Sequence, residues 1–291
     1  MDTQGDVREF LASRRARITP EQAGLPNFGG TRRVAGLRRA EVAMLAGVSP
    51  DYYTRLERGN LSGVSDSVLD AIARALQLDE AEHSHLHDLA RAANTSPRAR
   101  RRPPKQQIRP GIRILLDAMT DAPAFVRNGR LDVLAANLLG EALYSPAFAS
   151  GPRPVNLARF CFLDPAADDF YPDWKGAADT TVNLLRTEAG RDPYNKALSE
   201  LVGELATRSD DFRTRWAAHN VRLHHTGAKQ FQHPVVGRLD LAFEAMPLPA
   251  DPGLTLTAYS AEAGTPAHDA LRLLASWATA SSPALHTSAE Q

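Results

Sequence analysis

With a single cysteine, Cys161, in 291 residues, the chain can form no intrachain disulfide and no cysteine-rich zinc site, and it suits a reducing compartment. No apolar run approaches the roughly 20 residues that span a bilayer. No apolar segment follows a basic start, as an export signal would have. The expectation is a cytoplasmic protein with no membrane partner. Net charge is missing too, since 34 Lys and Arg balance 34 Asp and Glu. The chain also lacks a Gly-x-Ser-x-Gly elbow, a phosphate-cradling Gly-rich loop, a kinase motif and an HExxH pair. His83 and His87 share a helix face and could chelate a metal, but no third ligand is evident. They read as solvated or capping histidines, as do His85, His219, His224, His225 and His233. The acidic pairs Asp168-Asp169 and Asp210-Asp211 read as caps and solvated loops. No enzyme, no cofactor and no metal are expected.

The balanced total hides an asymmetry. Residues 1–110 hold about 18 basic against about 13 acidic side chains, and the remainder is acidic in balance. A basic half suits a polyanion. Within it, residues 37–60 (LRRAEVAMLAGVSPDYYTRLERGN) contain two short helical patterns joined by a turn. Val42, Ala43, Leu45 and Ala46 form an apolar stripe. Gly47 ends the first helix, Ser49 caps the second, and Pro50 takes its first position. In the second helix Tyr53 and Leu56 point inward, which leaves Asp51, Arg55 and Arg58 on the opposite face. In a major groove Arg55 suits bidentate contact with guanine, and Asp51 suits a cytosine amino group. Arg38, Arg39, Tyr52 and Arg58 flank that face, within reach of phosphates.

This stretch resembles the Xre or phage-repressor class of helix-turn-helix regulators, through Ala40-Glu41-Val42-Ala43, Gly47-Val48-Ser49 and Leu56-Glu57-Arg58-Gly59. The resemblance implies that Glu57 is structural and pairs with an arginine of the first helix. Arg14 is the first choice of partner and Arg15 the second.

Around this core, 6–18 reads as a first helix, and a start at Thr19-Pro20-Glu21 is broken by Pro26, Gly29 and Gly30. Arg32 and Arg33 lie in the connection that follows, placed either for a phosphate or minor groove or for solvent. Residues 65–78 and 80–93 complete a five-helix, all-α domain over 1–94. An Arg- and Pro-rich linker follows at 95–110, either a basic arm along DNA or a plain spacer.

The remainder, 111–280, mixes helices and strands ahead of a loose tail, 281–291. A hairpin is expected around Asn128-Gly129, between 125–128 and 131–134. Helices are expected at 138–143, 177–187, 194–208, 211–218 and 269–278. Leu239, Leu241 and Phe243, then Leu254, Leu256 and Ala258, alternate with polar residues and imply two late strands with an exposed face. The fold class is an α+β domain with helices covering one sheet face. This half resembles the PAS-like sensor domain of MmyB-type actinobacterial regulators, through Pro123-Ala124-Phe125-Val126, Trp216-Ala217, Val221 and the run from Lys229 through Phe231-Gln232-His233-Pro234-Val235-Val236-Gly237-Arg238-Leu239. The resemblance implies a pocket for an apolar small molecule such as a fatty acid. Phe125, Leu134, Phe160, Phe162, Trp174, Trp216, Phe231 and Phe243 could line it or could fill an ordinary core.

Taken together, the sequence predicts a transcriptional regulator that binds double-stranded operator DNA as a homodimer and senses a small apolar ligand. The alternative is a DNA-bound adaptor whose second domain binds a partner protein.

Overall fold

A computed structural model describes residues 3–25, 34, 36–94, 108–149, 151–218 and 226–281. Arg32, Arg33, Val221, His219, His224, His225, most of the expected linker and the tail beyond 281 lie outside these residues. By its contacts the chain divides into two units, 1–102 with 182–223 and 103–181 with 224–291. The segment 182–223, which sequence order groups with the second half, thus packs in the first unit.

The first unit begins with α1 (Thr3–Arg17), α2 (Arg39–Ala46), α3 (Pro50–Glu57), α4 (Asp66–Ala75) and α5 (Glu80–Asn94). α1 buries Val7, Phe10 and Leu11 against α3 and α5. Gly47 has φ 67 and closes α2 in the left-handed region, as a glycine C-cap does. Ser49 Oγ then accepts from the Tyr52 backbone N–H at 3.1 Å, and Pro50 opens α3. Val42, Ala43 and Ala46 are buried between α2 and its neighbours, but Leu45 is 37% exposed. That side chain leaves the expected stripe because only one narrow face of an eight-residue helix meets α3 and α4. At the end of α3, Gly59 has φ 97, and a Cβ there would lie 2.5 Å from the Gln4 carbonyl oxygen. Helix α1 can approach α3 this closely only because the position is glycine.

The second part of this unit takes in the end of α11 (Trp174–Arg191), together with α12 (Lys196–Arg208) and α13 (Asp210–Ala217). Asn195 and Ser209 cap α12 and α13 through the backbone N–H groups of Leu198 and Phe212. Phe212 is buried and stacks on Trp216 at 5.6 Å and 16°.

The second unit is built on a five-stranded antiparallel sheet in the order β2-β1-β5-β4-β3: β1 (Ala124–Asn128), β2 (Val133–Ala136), β3 (Thr226–His233), β4 (Gly237–Pro247) and β5 (Leu254–Ser260). The Asn128-Gly129 hairpin is present. Its second strand starts two residues late because Asn128 Oδ1 takes the backbone N–H groups of Arg130 and Asp132. Both faces of the β1–β5 part are covered, unlike the single covered face expected. Val126, Leu254 and Leu256 pack with Leu116 of α6 (Pro110–Ala118). The other face carries Phe125, Phe231, Leu239, Leu241 and Tyr259. Over it lie α7 (Leu138–Leu143), α8 (Ser145–Ala149), α9 (Leu157–Leu163), α10 (Ala166–Phe170), the start of α11 and α14 (Pro266–Ser281). Asn137 ties this layer to the sheet: its Oδ1 takes the N–H groups of Ala124 and Gly140 at 2.9 and 2.7 Å. No helix is long and apolar enough to cross a membrane among the described residues.

The two left-handed glycines separate backbone strain from steric exclusion. No atom lies within 4 Å of a Cβ built at Gly47, so Gly47→Ala should cost about 1 kcal/mol from its φ alone. Gly59→Ala adds a clash with the α1 backbone and should cost well over that in urea unfolding. Equal losses would mean that α1 gives way freely.

Candidate DNA interface and sensor core

Glu57, at the end of α3, is buried and fixes the geometry of the three helices around it. Arg15 donates to it bidentately, Nε to Oε2 at 3.0 Å and Nη2 to Oε1 at 2.8 Å. Arg39 adds Nε to Oε1 at 3.2 Å. Arg15 also donates from Nη1 to the Leu37 carbonyl at 2.8 Å. Burial alone would raise the Glu57 carboxyl; the hydrogen bonds of Arg15 and Arg39 outweigh it and hold the group below the ordinary glutamate range. The expected partner Arg14 is corrected here. One residue earlier on α1 is turned by about 100°, so Arg14 instead meets Glu82 of α5, Nε to Oε1 at 2.8 Å.

With α3 anchored, its outer face presents Asp51, Arg55 and Arg58, all exposed, with Tyr52 half-buried beside them. The Arg55 guanidinium lies 4.9 Å from the centre of the Tyr52 ring. This cation–π contact, one helical turn back, holds the guanidinium against the outer face of α3. Arg38 is exposed at the start of α2, where its backbone N–H donates to Glu41 Oε2 at 2.6 Å. Arg39 is half exposed, yet its guanidinium belongs to the Glu57 cluster. Its reach toward a phosphate is therefore shared with a structural task, which leaves Arg58 as the freer flanking cation.

In the second unit Phe125, Phe160 and Phe231 are buried in one aromatic core, with Trp174, Phe162 and Phe243 packed at its margin. Two of the expected pocket residues lie elsewhere. Leu134 packs on the opposite sheet face with Leu116 and Val126, beside Ala135, where a register shift in the β1–β2 pairing breaks the alternation of β2. Trp216 lies in the first unit, where the Arg186 guanidinium sits 4.2 Å from its ring centre and donates to its carbonyl oxygen.

The residues that sequence reasoning missed are the polar ones at the centre. Tyr144 and Tyr259 are buried and joined hydroxyl to hydroxyl at 2.7 Å. Lys229 of β3 projects among the rings, its Nζ 4.6 Å from the centre of Tyr171, 5.5 Å from Phe231 and 5.8 Å from Tyr144. It donates to the Tyr144 hydroxyl at 3.4 Å. The residue as a whole is half-buried, and three rings surround its ammonium. Among the described residues no carboxylate forms an ion pair with it. Burial, with Arg127 adding repulsion, pushes its pKa down to about 8 against an opposing effect of Cys161. Desolvation likewise raises Tyr144 and Tyr171 well above the ordinary tyrosine value and Tyr259 to about 12, so the hydroxyls around the ammonium are neutral.

Ser145 and His233 are 3.2 Å apart, but they do not make a nucleophile and its base. His233 Nδ1 accepts from the Val235 and Val236 N–H groups, which leaves the proton on Nε2, where it is donated to the Ala142 carbonyl at 3.0 Å. Ser145 therefore faces a donor.

Two family models match the chain. Residues 108–274, more than half of it, match the MmyB-like transcription regulator ligand binding domain, and residues 9–86 match a helix-turn-helix domain. Among curated proteins no sequence matches the chain.

Replacing Glu57 by Gln should destabilise the protein by about 3–5 kcal/mol by stranding two guanidinium groups. Because the folded carboxyl is held low, this advantage of wild type is complete above the ordinary glutamate range. It should close as acid titrates the folded group, which melting curves at falling pH would show. In double-mutant cycles E57Q should be strongly non-additive with R15A and additive with R14A. On operator variants, Arg55→Ala should relax preference at one base position and cost about 1–3 kcal/mol, while Arg58→Ala should weaken all sequences alike and lower the salt slope by about one. Equal losses from both on every sequence would place α3 outside the groove.

Proposed function

Since the chain belongs to the MmyB-like transcription regulators, we propose that it is a one-component regulator in which an apolar molecule bearing a carboxylate, such as a fatty acid, binds the sensor core and alters operator binding. The observation that carries this reading is Lys229. An ammonium enclosed by Tyr144, Tyr171 and Phe231, with no carboxylate partner among the described residues, destabilises its surroundings unless an anion joins it. A ligand with an acyl chain and an acidic head supplies that anion and fills an aromatic environment with the same molecule.

The DNA-binding form in this reading is a homodimer. One recognition helix reads few base pairs, and two helices about 34 Å apart read a pseudo-palindrome. Ligand control follows from differential affinity for two arrangements of the protein. In this reading the protein acts in the cytoplasm, where operator DNA is, and as a regulator rather than an enzyme.

The test is titration of a long-chain fatty acid, its methyl ester and its alcohol against wild type and Lys229→Met, together with mass spectrometry of an organic extract. The acid should bind wild type at least about tenfold tighter than the ester, a difference of 1.4 kcal/mol, and K229M should erase that preference. The sign of the pH effect follows from the lowered pKa. In the empty site the ammonium is charged below about pH 8, so affinity for the acid should be flat there and fall above it. Unliganded wild type should gain stability over the same rise, and K229M should not. Failure of all three molecules to bind would turn the reading toward a protein partner.

A further inference from the structure

α5 carries His83 and His87 one turn apart on the side that meets α4, with ring centres 4.6 Å apart. The third ligand that the sequence did not reveal comes from α4. Asp70 Oδ1 lies 2.8 Å from His83 Nε2 and 3.0 Å from His87 Nε2. One donor atom from each of the three residues falls within 4.8 Å of the others. The convergence is a product of the local fold. α4 and α5 pack through Leu69, Ile72, Leu86 and Leu89, so an Asp on one helix and a His pair at i and i+4 on the other meet at the edge of that seam.

We propose that Asp70, His83 and His87 form a binding site for one divalent transition-metal ion of the zinc class, with water completing the coordination. Two imidazoles and a carboxylate are a donor set that zinc accepts with an open fourth position. Imidazole donors disfavour magnesium and calcium. Metal–ligand bonds near 2.1 Å place tetrahedral donor atoms about 3.4 Å apart, so the two Asp70–histidine spacings need to open by about 0.4–0.6 Å, while the histidine nitrogens, within 4.8 Å of each other, settle to the same separation. Half-exposed side chains can do that, and Asp70 and His83 are 41% and 43% exposed.

An outer partner is also in place. His87 Nδ1, the nitrogen left for a proton when Nε2 binds metal, faces Asp66 Oδ1 at 3.5 Å. A carboxylate behind a ligating imidazole fixes its tautomer and raises its basicity. Each ring needs only to move its proton from Nε2 to Nδ1, so metal entry requires no net proton loss from neutral histidines. The bound ion would clamp α4 to α5. Since α4 packs on α2 and α2 on α3, it would stabilise the support of the recognition helix.

The experiment uses untagged full-length protein stripped with chelator, titrated with Zn2+ by calorimetry and with Co2+ by visible absorption. One equivalent should bind, with cobalt bands of a low-coordinate nitrogen and oxygen site, and Zn2+ should raise the melting temperature. His83→Ala, His87→Ala and Asp70→Asn should each lose about 100-fold or more in affinity, and Asp66→Asn about tenfold, the scale of an outer-partner loss. Chelator-treated variants that melt near wild type confirm that they fold. Should a histidine variant fail to fold, D70N, which keeps an oxygen acceptor for both rings, carries the same decision. Absence of saturable binding, undiminished binding in the variants, or binding without a rise in melting temperature would each overturn the assignment.

Discussion

One buried carboxylate organises the DNA-binding half. Glu57 ends α3, Arg15 comes from α1 and Arg39 opens α2, so a single charge with two guanidinium partners fixes three helices. Stranding an ion in such a place costs several kcal/mol, whereas satisfying it with bidentate geometry recovers most of that cost. The cluster therefore contributes uniqueness more than net stability, because alternative packings of α1, α2 and α3 would each leave a charge unpaired. A third bond from Arg15, to the Leu37 carbonyl, extends the same restraint to the chain entering α2. The outward face of α3 is fixed by what holds its inward face.

The sensor half inverts that logic. Its central charge, Lys229, is enclosed by rings and by neutral hydroxyls, without the counter-charge that Glu57 has in abundance. A satisfied buried charge specifies one structure; an unsatisfied one creates a place where an outside anion changes the free energy most. The two halves thus treat a central charge differently: Glu57 has two guanidinium partners, and Lys229 has rings and a neutral hydroxyl.

Much of this was legible in sequence where a local rule decides. Gly47, Ser49 and Pro50 mark the turn through backbone conformation alone, and α7 spans the very residues expected, Leu138–Leu143. Alternation in β4 was plain because one face meets the core and the other water. The failures share a cause: they depend on which element lies opposite. Arg14 and Arg15 are adjacent in a basic run and differ only in helical phase. Leu134 and Phe125 are both apolar strand residues on opposite sheet faces. β3 is a polar edge strand with a mixed pattern, and α8, α9 and α10 are too short to show a period. Trp216 lies in the sensor's stretch of sequence but packs in the other unit. Asp70 is invisible beside His83 and His87 until the α4–α5 seam exists.

Helix α11 contributes residues to both units, Ala178 to the sensor core and its later part to the helical unit. It runs for 18 residues without proline, and its later part includes Gly190, where a Cβ would come within 2.5 Å of the His85 ring of α5. Side chains packed that tightly do not yield gradually, since dense interiors shift between discrete arrangements. At this contact within the first unit, a residue larger than glycine at 190 would therefore require a change of packing rather than a small adjustment. The ligand's influence on DNA is limited by its differential affinity for the two arrangements. An anion on Lys229 would supply such a difference only if one arrangement offers the ammonium and the other does not.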